Sequence, residues 1–343
     1  MYLLSNLDVF QFPASAGEPV YVLDLHTILS GLTAISSDQS LSLFDLSSLS
    51  KGPVRSFKTS HGNLTVARPF DLSQSAVCTA GSDGSVAIWD LRAAGVNPAQ
   101  ATRQIGSVHA SIASLACAPG VNVVCAGTEH VDNQASLVFW DVRRASEPVI
   151  QYNEVHSDDI TELNFHPTDT NLLLSGSTDG LVNVYDLKIT DEDEVVIQTF
   201  NHDASIHHSG FLNQSELFAL SHDEKFALYD LAEEQEKGSA TANFGDTRET
   251  LGCQYIANVL PKSVADGPAA AVIGAGTLDQ QKFELVHLSK GAASWGFDSS
   301  SLVGLPGAHG SEVVRSFRVL DRERVVLTAG EDGQIKTWGA QGP

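Results

Sequence analysis

The side chains placed to do chemistry in this sequence are carboxylates, and the chemistry they suit is recognition of cations. Glu129 and Asp132, Asp158 and Asp159, Asp246 and Glu249, and Glu331 recur along the chain beside short turn segments. Carboxylates brought to one rim would steer a Lys/Arg-rich segment inward and pair with it through charge-assisted hydrogen bonds. Arg248 and Arg315 stand among these acids, positioned either to orient them or to touch a partner. Two further acidic runs, Asp191-Glu192-Asp193-Glu194 and Glu233-Glu234-Gln235-Glu236, follow apolar stretches and read as solvated loops or as a second basic contact. A different pattern, Trp89-Asp90-Leu91-Arg92 and Trp140-Asp141-Val142-Arg143, sets an Arg two residues beyond an Asp. Such an Arg pairs with that Asp at a strand end or offers its guanidinium to another protein.

Catalysis and cofactor binding find no comparable support. The chain has no G-x-x-x-x-G-K-[ST] phosphate loop, no H-E-x-x-H helix and no G-x-S-x-G elbow. Gly274-Ala275-Gly276 lacks the third glycine and the following helix of a dinucleotide site, so a β-turn explains it better. The protein is therefore read as non-enzymatic, with no catalytic, cofactor-binding or metal residues and no cofactor. Among 12 histidines, His207-His208 is the one adjacent pair. Neighbours on a strand point to opposite faces, which argues against joint ligation of a metal.

Charge narrows the partners. Lys and Arg number 20 against 42 Asp and Glu, giving a net charge of −22, and such a surface repels nucleic acid and anionic lipid. The expected partner is a protein, Lys/Arg-rich, with no direct nucleic-acid contact and no membrane contact. No apolar run reaches the length of a membrane span, and the first residues lack the basic start and cleavage site of a signal peptide, so an intracellular protein is expected. Cys78, Cys117, Cys125 and Cys253 are widely spaced, which predicts buried reduced thiols rather than a disulfide framework or zinc site.

The elements that must position these residues come from a repeat. Thr79-Ala80-Gly81-Ser82-Asp83-Gly84-Ser85-Val86-Ala87-Ile88-Trp89-Asp90 returns as Ser175-Gly176-Ser177-Thr178-Asp179-Gly180-Leu181-Val182-Asn183-Val184-Tyr185-Asp186, and again at Thr328-Ala329-Gly330-Glu331-Asp332-Gly333 on to Trp338. Each copy sets an Asp-Gly pair six residues before an aromatic; Asp38 with Phe44 and Asp223 with Tyr229 keep that spacing, and another copy ends Phe139-Trp140-Asp141. Asp-Gly makes a tight turn between antiparallel strands, because Asp bonds its local backbone and Gly accepts a positive φ. Alternating apolar residues such as Val182 and Val184 then supply a face to bury. Repeat ends at Asp45, Asp90, Asp141, Asp186 and Asp230 fall 44 to 51 residues apart, the length of one four-stranded blade.

These residues resemble the WD-repeat family over nearly the whole chain. The resemblance implies an all-β, seven-bladed WD-repeat β-propeller, with units ending near residues 45, 90, 141, 186, 230, 287 and 339. The sixth is degenerate, with Leu285 in the aromatic's place and longer loops near residues 261–268 and 289–299. The chain stops before an outer strand for the seventh unit could form, so a segment around residues 3–12 is expected to complete that blade and close residues 1–343 into a single domain. The family also implies a buried hydrogen-bonded chain of His, Ser or Thr, Asp and Trp in each blade. Matching positions are His61, Thr79, Asp83 and Trp89; His156, Ser175 and Asp179, with Tyr185 for Trp; and His309, Thr328, Asp332 and Trp338. His61, His109, His156, His202 and His309 all open repeats and are given structural places.

Cys125-Ala126-Gly127-Thr128-Glu129-His130-Val131-Asp132-Asn133, His156-Ser157-Asp158-Asp159-Ile160-Thr161 and Val314-Arg315-Ser316-Phe317 are most similar to one group, WD repeat-containing protein 89. Animal members of that group carry a basic tail, whereas this chain ends at Pro343. In the family, the loop leading into each first strand and the turn between second and third strands share one face, the usual seat of a partner. The resemblance so gathers Glu129, Asp132, Asp158, Asp159, Asp246, Arg248, Glu249, Arg315 and Glu331 as partner-binding residues. It implies a protein-interaction propeller, expected as a monomer within a larger complex of nucleus and cytoplasm, and the acidic rim is read as binding a basic protein segment, as an escort or assembly factor for a ribosomal protein or histone would. The alternative it implies is a substrate receptor of a cullin-4 ubiquitin ligase, with Arg92 and Arg143 meeting the adaptor.

Overall fold

The computed structural model describes residues 1–15, 17–92, 103–132, 134–144, 147–231, 238–262, 270–291 and 294–340. The protein is nearly all β: seven sheets, each built on a meander of four antiparallel strands, form a β-propeller whose last blade is closed by the N-terminal strand. The one α-helical segment among the described residues is a single turn, Arg248–Leu251, and no described helix is long and apolar enough to cross a membrane. The Glu233–Glu236 run falls outside the described residues, as does most of the loop at 261–268.

The chain divides into two compact units. Residues 61–247 carry four blades. Blade 2 is Leu64–Asp71, Ala76–Gly81, Ser85–Asp90 and Arg103–Ser107. Blade 3 is Ile112–Ala118, Val123–Thr128, Ala135–Asp141 and Ile150–His156. Blade 4 is Ile160–Phe165, Leu172–Ser177, Leu181–Asp186 and Val196–Asn201. Blade 5 is Ile206–Phe211, Glu216–Ser221, Lys225–Asp230 and Ala242–Asp246. Middle strands are buried on both faces, and the alternating side chains of neighbouring blades interdigitate: Cys78, Ala80 and Ile88 with Val124, Val138 and Trp140, then Cys125, Leu137 and Phe139 with Leu163, Leu173 and Tyr185. Each fully buried large side chain contributes about 1.5–3 kcal/mol of transfer free energy, so the interblade layers dominate cohesion.

Residues 1–60 and 248–343 carry the other three. Blade 1 is Val22–Ile28, Gly31–Ser36, Ser40–Phe44 and Arg55–Lys58. Blade 6 is Tyr255–Pro261, Ala271–Thr277, Lys282–Lys290 and Trp295–Pro306. Blade 7 contributes Val314–Leu320, Val325–Gly330 and Gln334–Gly339, and Ser5–Gln11 pairs antiparallel with the last of these. The N-terminal segment does not act as one strand: Tyr2–Leu3 instead adds in parallel to the outer strand of blade 6, against Val303 and Gly304.

Two backbone devices recur. The Asp-Gly turns need glycine: Gly84 has φ +74°, and a Cβ there would lie 2.1 Å from the Val108 carbonyl oxygen. Asp83 Oδ1 accepts from the Ser85 amide at 3.0 Å and its hydroxyl at 2.7 Å, which pins the turn. Secondly, every first strand slips register near its start, between Leu64 and Val66, Ile112 and Ser114, Ile160 and Glu162, Ile206 and His208, Val22 and Asp24, Ile256 and Asn258, and Val314 and Ser316. A bulge puts consecutive residues on one side of the strand. In the 61–247 unit, hydroxyls there tie blade to blade: Thr65 donates to Ile112 O at 2.6 Å, Ser114 to Ile160 O at 2.6 Å and Thr161 to Ile206 O at 2.9 Å.

Candidate protein-interaction site

The loops are held by buried polar chains whose directions follow from the donors. In blade 2 the Trp89 indole N–H donates to Thr79 Oγ1 at 2.6 Å, and that hydroxyl bonds His61 Nε2 at 2.8 Å. His61 Nδ1 lies 2.6 Å from Ser85 Oγ, which donates onward to Asp83. Asp83 itself is 3.7 Å from the ring, so the expected direct His–Asp contact is relayed through Ser85. Blade 7 makes the direct version, Trp338 to Thr328 at 2.9 Å, Thr328 to His309 at 2.7 Å and His309 to Asp332 at 2.7 Å. Blade 4 substitutes a phenol: Tyr185 Oη to Ser175 at 2.7 Å, Ser175 to His156 at 2.6 Å and His156 to Asp179 at 2.9 Å. Burial lowers the pKa of His61 and His309 against the pull of their aspartates, so the chain prefers a neutral imidazole.

The hydroxyl stands two residues beyond the strand partner of the aromatic: Val77 faces Trp89 and Thr79 follows. In blade 3 that place is Ala126, because Val124 faces Trp140, and the buried Trp140 Nε1 finds no hydrogen-bond partner among the described residues. In blade 5 it is Ala219, and His202 Nδ1 reaches the Tyr229 hydroxyl directly at 3.0 Å. His109, expected to hold a comparable structural place, is exposed.

The acidic residues fall into local groups. In blades 3 and 4, Asp159 Oδ1 accepts from the His130 amide at 2.6 Å, which fastens the turn bearing Glu129 and Asp132 to the lead-in of blade 4 bearing Asp158 and Asp159. Asp132 adopts φ 53°, a Val131–Gln134 bridge closes the turn, and Glu129 donates its amide to Ser111 O at 2.8 Å. Glu129 and Asp132 are exposed, Asp158 and Asp159 half-buried, and none of the four carboxylates has a Lys or Arg partner among the described residues. Asp246 ends the outer strand of blade 5 and is exposed. In the other unit, Arg315 bonds Glu331 at 2.6 Å within blade 7, while Arg248 and Glu249 are exposed on the single helical turn. Away from these loops, Glu192 accepts from the Asn153 amide and from that of Glu154 at 2.6 Å, tying its acidic run to the outer strand of blade 3.

The two W-D-x-R arginines fold back. Arg92 meets Asp90 at 3.0 and 2.8 Å, and Arg143 meets Asp141 at 2.9 and 2.7 Å, each as a two-pronged pair. The Arg143 side-chain bonds hold the Asp141 carboxyl far below its ordinary pKa.

A charged cluster inside the 61–247 unit was not anticipated from sequence. Arg68 of blade 2 reaches Glu162 of blade 4 at 2.9 Å, and His208 Nδ1 of blade 5 meets the other Glu162 oxygen at 3.1 Å. Burial pushes the Glu162 carboxyl up, but Arg68 and His208 together hold it below the usual range. The bulge overturns the expectation that His207 and His208 point apart. Their ring centroids are 4.1 Å apart, and His207 also stacks on His222 at 4.6 Å and 22°. In the other unit Asp24 accepts from Ser316 at 2.7 Å and pairs with His26 at 2.9 Å and Arg318 at 3.3 Å. Among the described residues no group of His, Cys, Asp and Glu is arranged to hold a metal ion.

Repeated four-stranded sheets, Asp-Gly turns and His–hydroxyl–aromatic chains define a WD-repeat propeller, and the chain belongs to the WD-repeat family. The profile of the WD domain, G-beta repeat matches residues 147–186. A WD repeat-containing protein of Saccharomyces cerevisiae is 32% identical over 327 residues, covering 93% of this chain and 77% of that protein. One of Schizosaccharomyces pombe is 30% identical over 329 residues, covering 93% and 95%. The WD repeat-containing protein 89 homolog of Dictyostelium discoideum is 27% identical over 238 residues, covering 68% and 60%. Propellers of this family generally serve as non-catalytic platforms for other proteins.

Proposed function

We propose that the protein is an interaction scaffold whose acidic loops bind a Lys/Arg-rich protein segment, in the manner of an escort or assembly factor for a ribosomal protein or histone in nucleus and cytoplasm. One observation carries this reading: the Asp159–His130 bond fixes Glu129 and Asp132 beside Asp158 and Asp159, with no Lys or Arg among the described residues to neutralise them. Loops held this way bind with little ordering cost. The test is fluorescence anisotropy with a mixed Lys/Arg peptide across a salt series. Wild-type binding should weaken as salt rises, and Glu129→Gln with Asp132→Asn and Asp158→Asn should weaken it at least tenfold at low salt; unchanged binding refutes the proposal. The ligase-adaptor alternative lacks equivalent support, since Asp90 and Asp141 already engage the guanidinium groups of Arg92 and Arg143.

A further inference from the structure

We propose that the stacked imidazoles of His207 and His222 on blade 5 form a platform that selects arginine over lysine in the basic segment, a refinement resting on the acidic-loop reading above. The two rings lie 4.6 Å apart and 22° from parallel, and His222 is exposed on the turn after Glu216–Ser221. The stack is braced from below. His207 packs on His208, His208 is held by Glu162, and Glu162 is anchored by Arg68, so the platform is set before any ligand arrives. The His222 amide donates to Ser205 O at 3.0 Å, which fixes the turn to the strand lead-in.

Its chemistry favours a flat cation. The protein packed against one side of the ring and the neighbouring His208 depress the pKa of His222, so at neutral pH its ring presents an uncharged π face. Asp223 beside it and Asp203 in the lead-in to the same blade are exposed carboxylates. A planar guanidinium can stack on the imidazole and still direct its edge N–H groups at a carboxylate; a tetrahedral ammonium, more strongly hydrated, gains little from the ring face. The corresponding positions of blade 7 hold Arg315 and Glu331, which bond each other. Blade 5 puts two rings where blade 7 puts an ion pair.

The test compares an Arg-Gly repeat peptide with its Lys-Gly counterpart on the intact protein at neutral pH. Wild type should bind the arginine peptide about threefold to fivefold more tightly, the range of an exposed cation–π contact. His222→Ala should abolish that preference while leaving the lysine peptide unaffected, and His222→Phe, which keeps an aromatic face, should retain it. Equal affinities in wild type, or a preference that survives His222→Ala, overturns the platform and leaves the acidic loops standing. Failure of both peptides to bind removes the acidic-loop reading, and the platform with it.

Discussion

Thr79→Val is a nearly isosteric change that removes a single oxygen from the centre of a blade, and its cost can be worked from what that oxygen serves. Thr79 Oγ1 accepts the Trp89 indole N–H and bonds His61 Nε2, and all three residues are buried. Valine leaves a buried donor and a buried acceptor without partners, each costing about 1–3 kcal/mol, so the total is about 2–6 kcal/mol. That is a large share of the roughly 5–15 kcal/mol that typically separates native from unfolded states. Blade 3 supplies the reciprocal experiment, because Ala126 occupies the equivalent place by an indole N–H that has no partner among the described residues. Ala126→Ser restores an acceptor there and should be neutral or stabilising by up to about 1.5 kcal/mol. Urea unfolding followed by tryptophan fluorescence measures both. A Thr79→Val loss below about 1 kcal/mol would mean that the chain is geometrically present but energetically idle, and would refute the reasoning.

Acid should destabilise the fold through its histidines. Burial depresses the folded pKa of His61, His202 and His309 below the unfolded value near 6.5, so the unfolded chain binds more protons there; stability is full above that pH and declines as pH falls through it. Each such histidine adds up to about 1.4 kcal/mol per pH unit, and urea midpoints that stay level between pH 7.5 and 5.5 would contradict this. Arg68→Met leaves the buried Glu162 carboxylate with His208 as its one remaining charged partner among the described residues and should cost about 3 kcal/mol, whereas Arg68→Met combined with Glu162→Leu should recover most of it in the same unfolding assay. Gly106→Ala places a Cβ 2.3 Å from the Trp140 indole nitrogen and should lower the midpoint markedly, while Gly120→Ala, with open space around it, should not.

The repeat was legible because its signals are local. An Asp-Gly turn six residues before an aromatic fixes a hairpin, and a hydrogen-bonding His before the next strand fixes the blade, so Asp83, Trp89, His309 and Trp338 announce themselves within one unit. The clustering of Glu129 and Asp132 with Asp158 and Asp159 needed one further fact, the His130–Asp159 bond across 29 positions. Arg68, Glu162 and His208 carried no such signal. They lie on three blades, and no periodicity relates an Arg to a Glu 94 residues away. His207 and His208 were misjudged for a physical reason: strict alternation presumes a regular strand, and each first strand here has a bulge.

Departures from the repeat occur where the first strand meets the turn after the second strand. In blades 5 and 7 the second residue of the first strand meets the first residue of the turn after the second strand, as His207 with His222 and Arg315 with Glu331. Blade 4 has Thr161 and Thr178 at the corresponding positions, where Thr161 donates to the Gly176 and Ile206 carbonyls. Substitution there leaves the buried chain beneath untouched, because the Thr328–His309 and His202–Tyr229 bonds draw on other residues. The propeller thus separates two demands on one sequence. Core positions must repeat to hold the blades, whereas these loop positions differ from blade to blade, with an ion pair in blade 7 and a ring stack in blade 5.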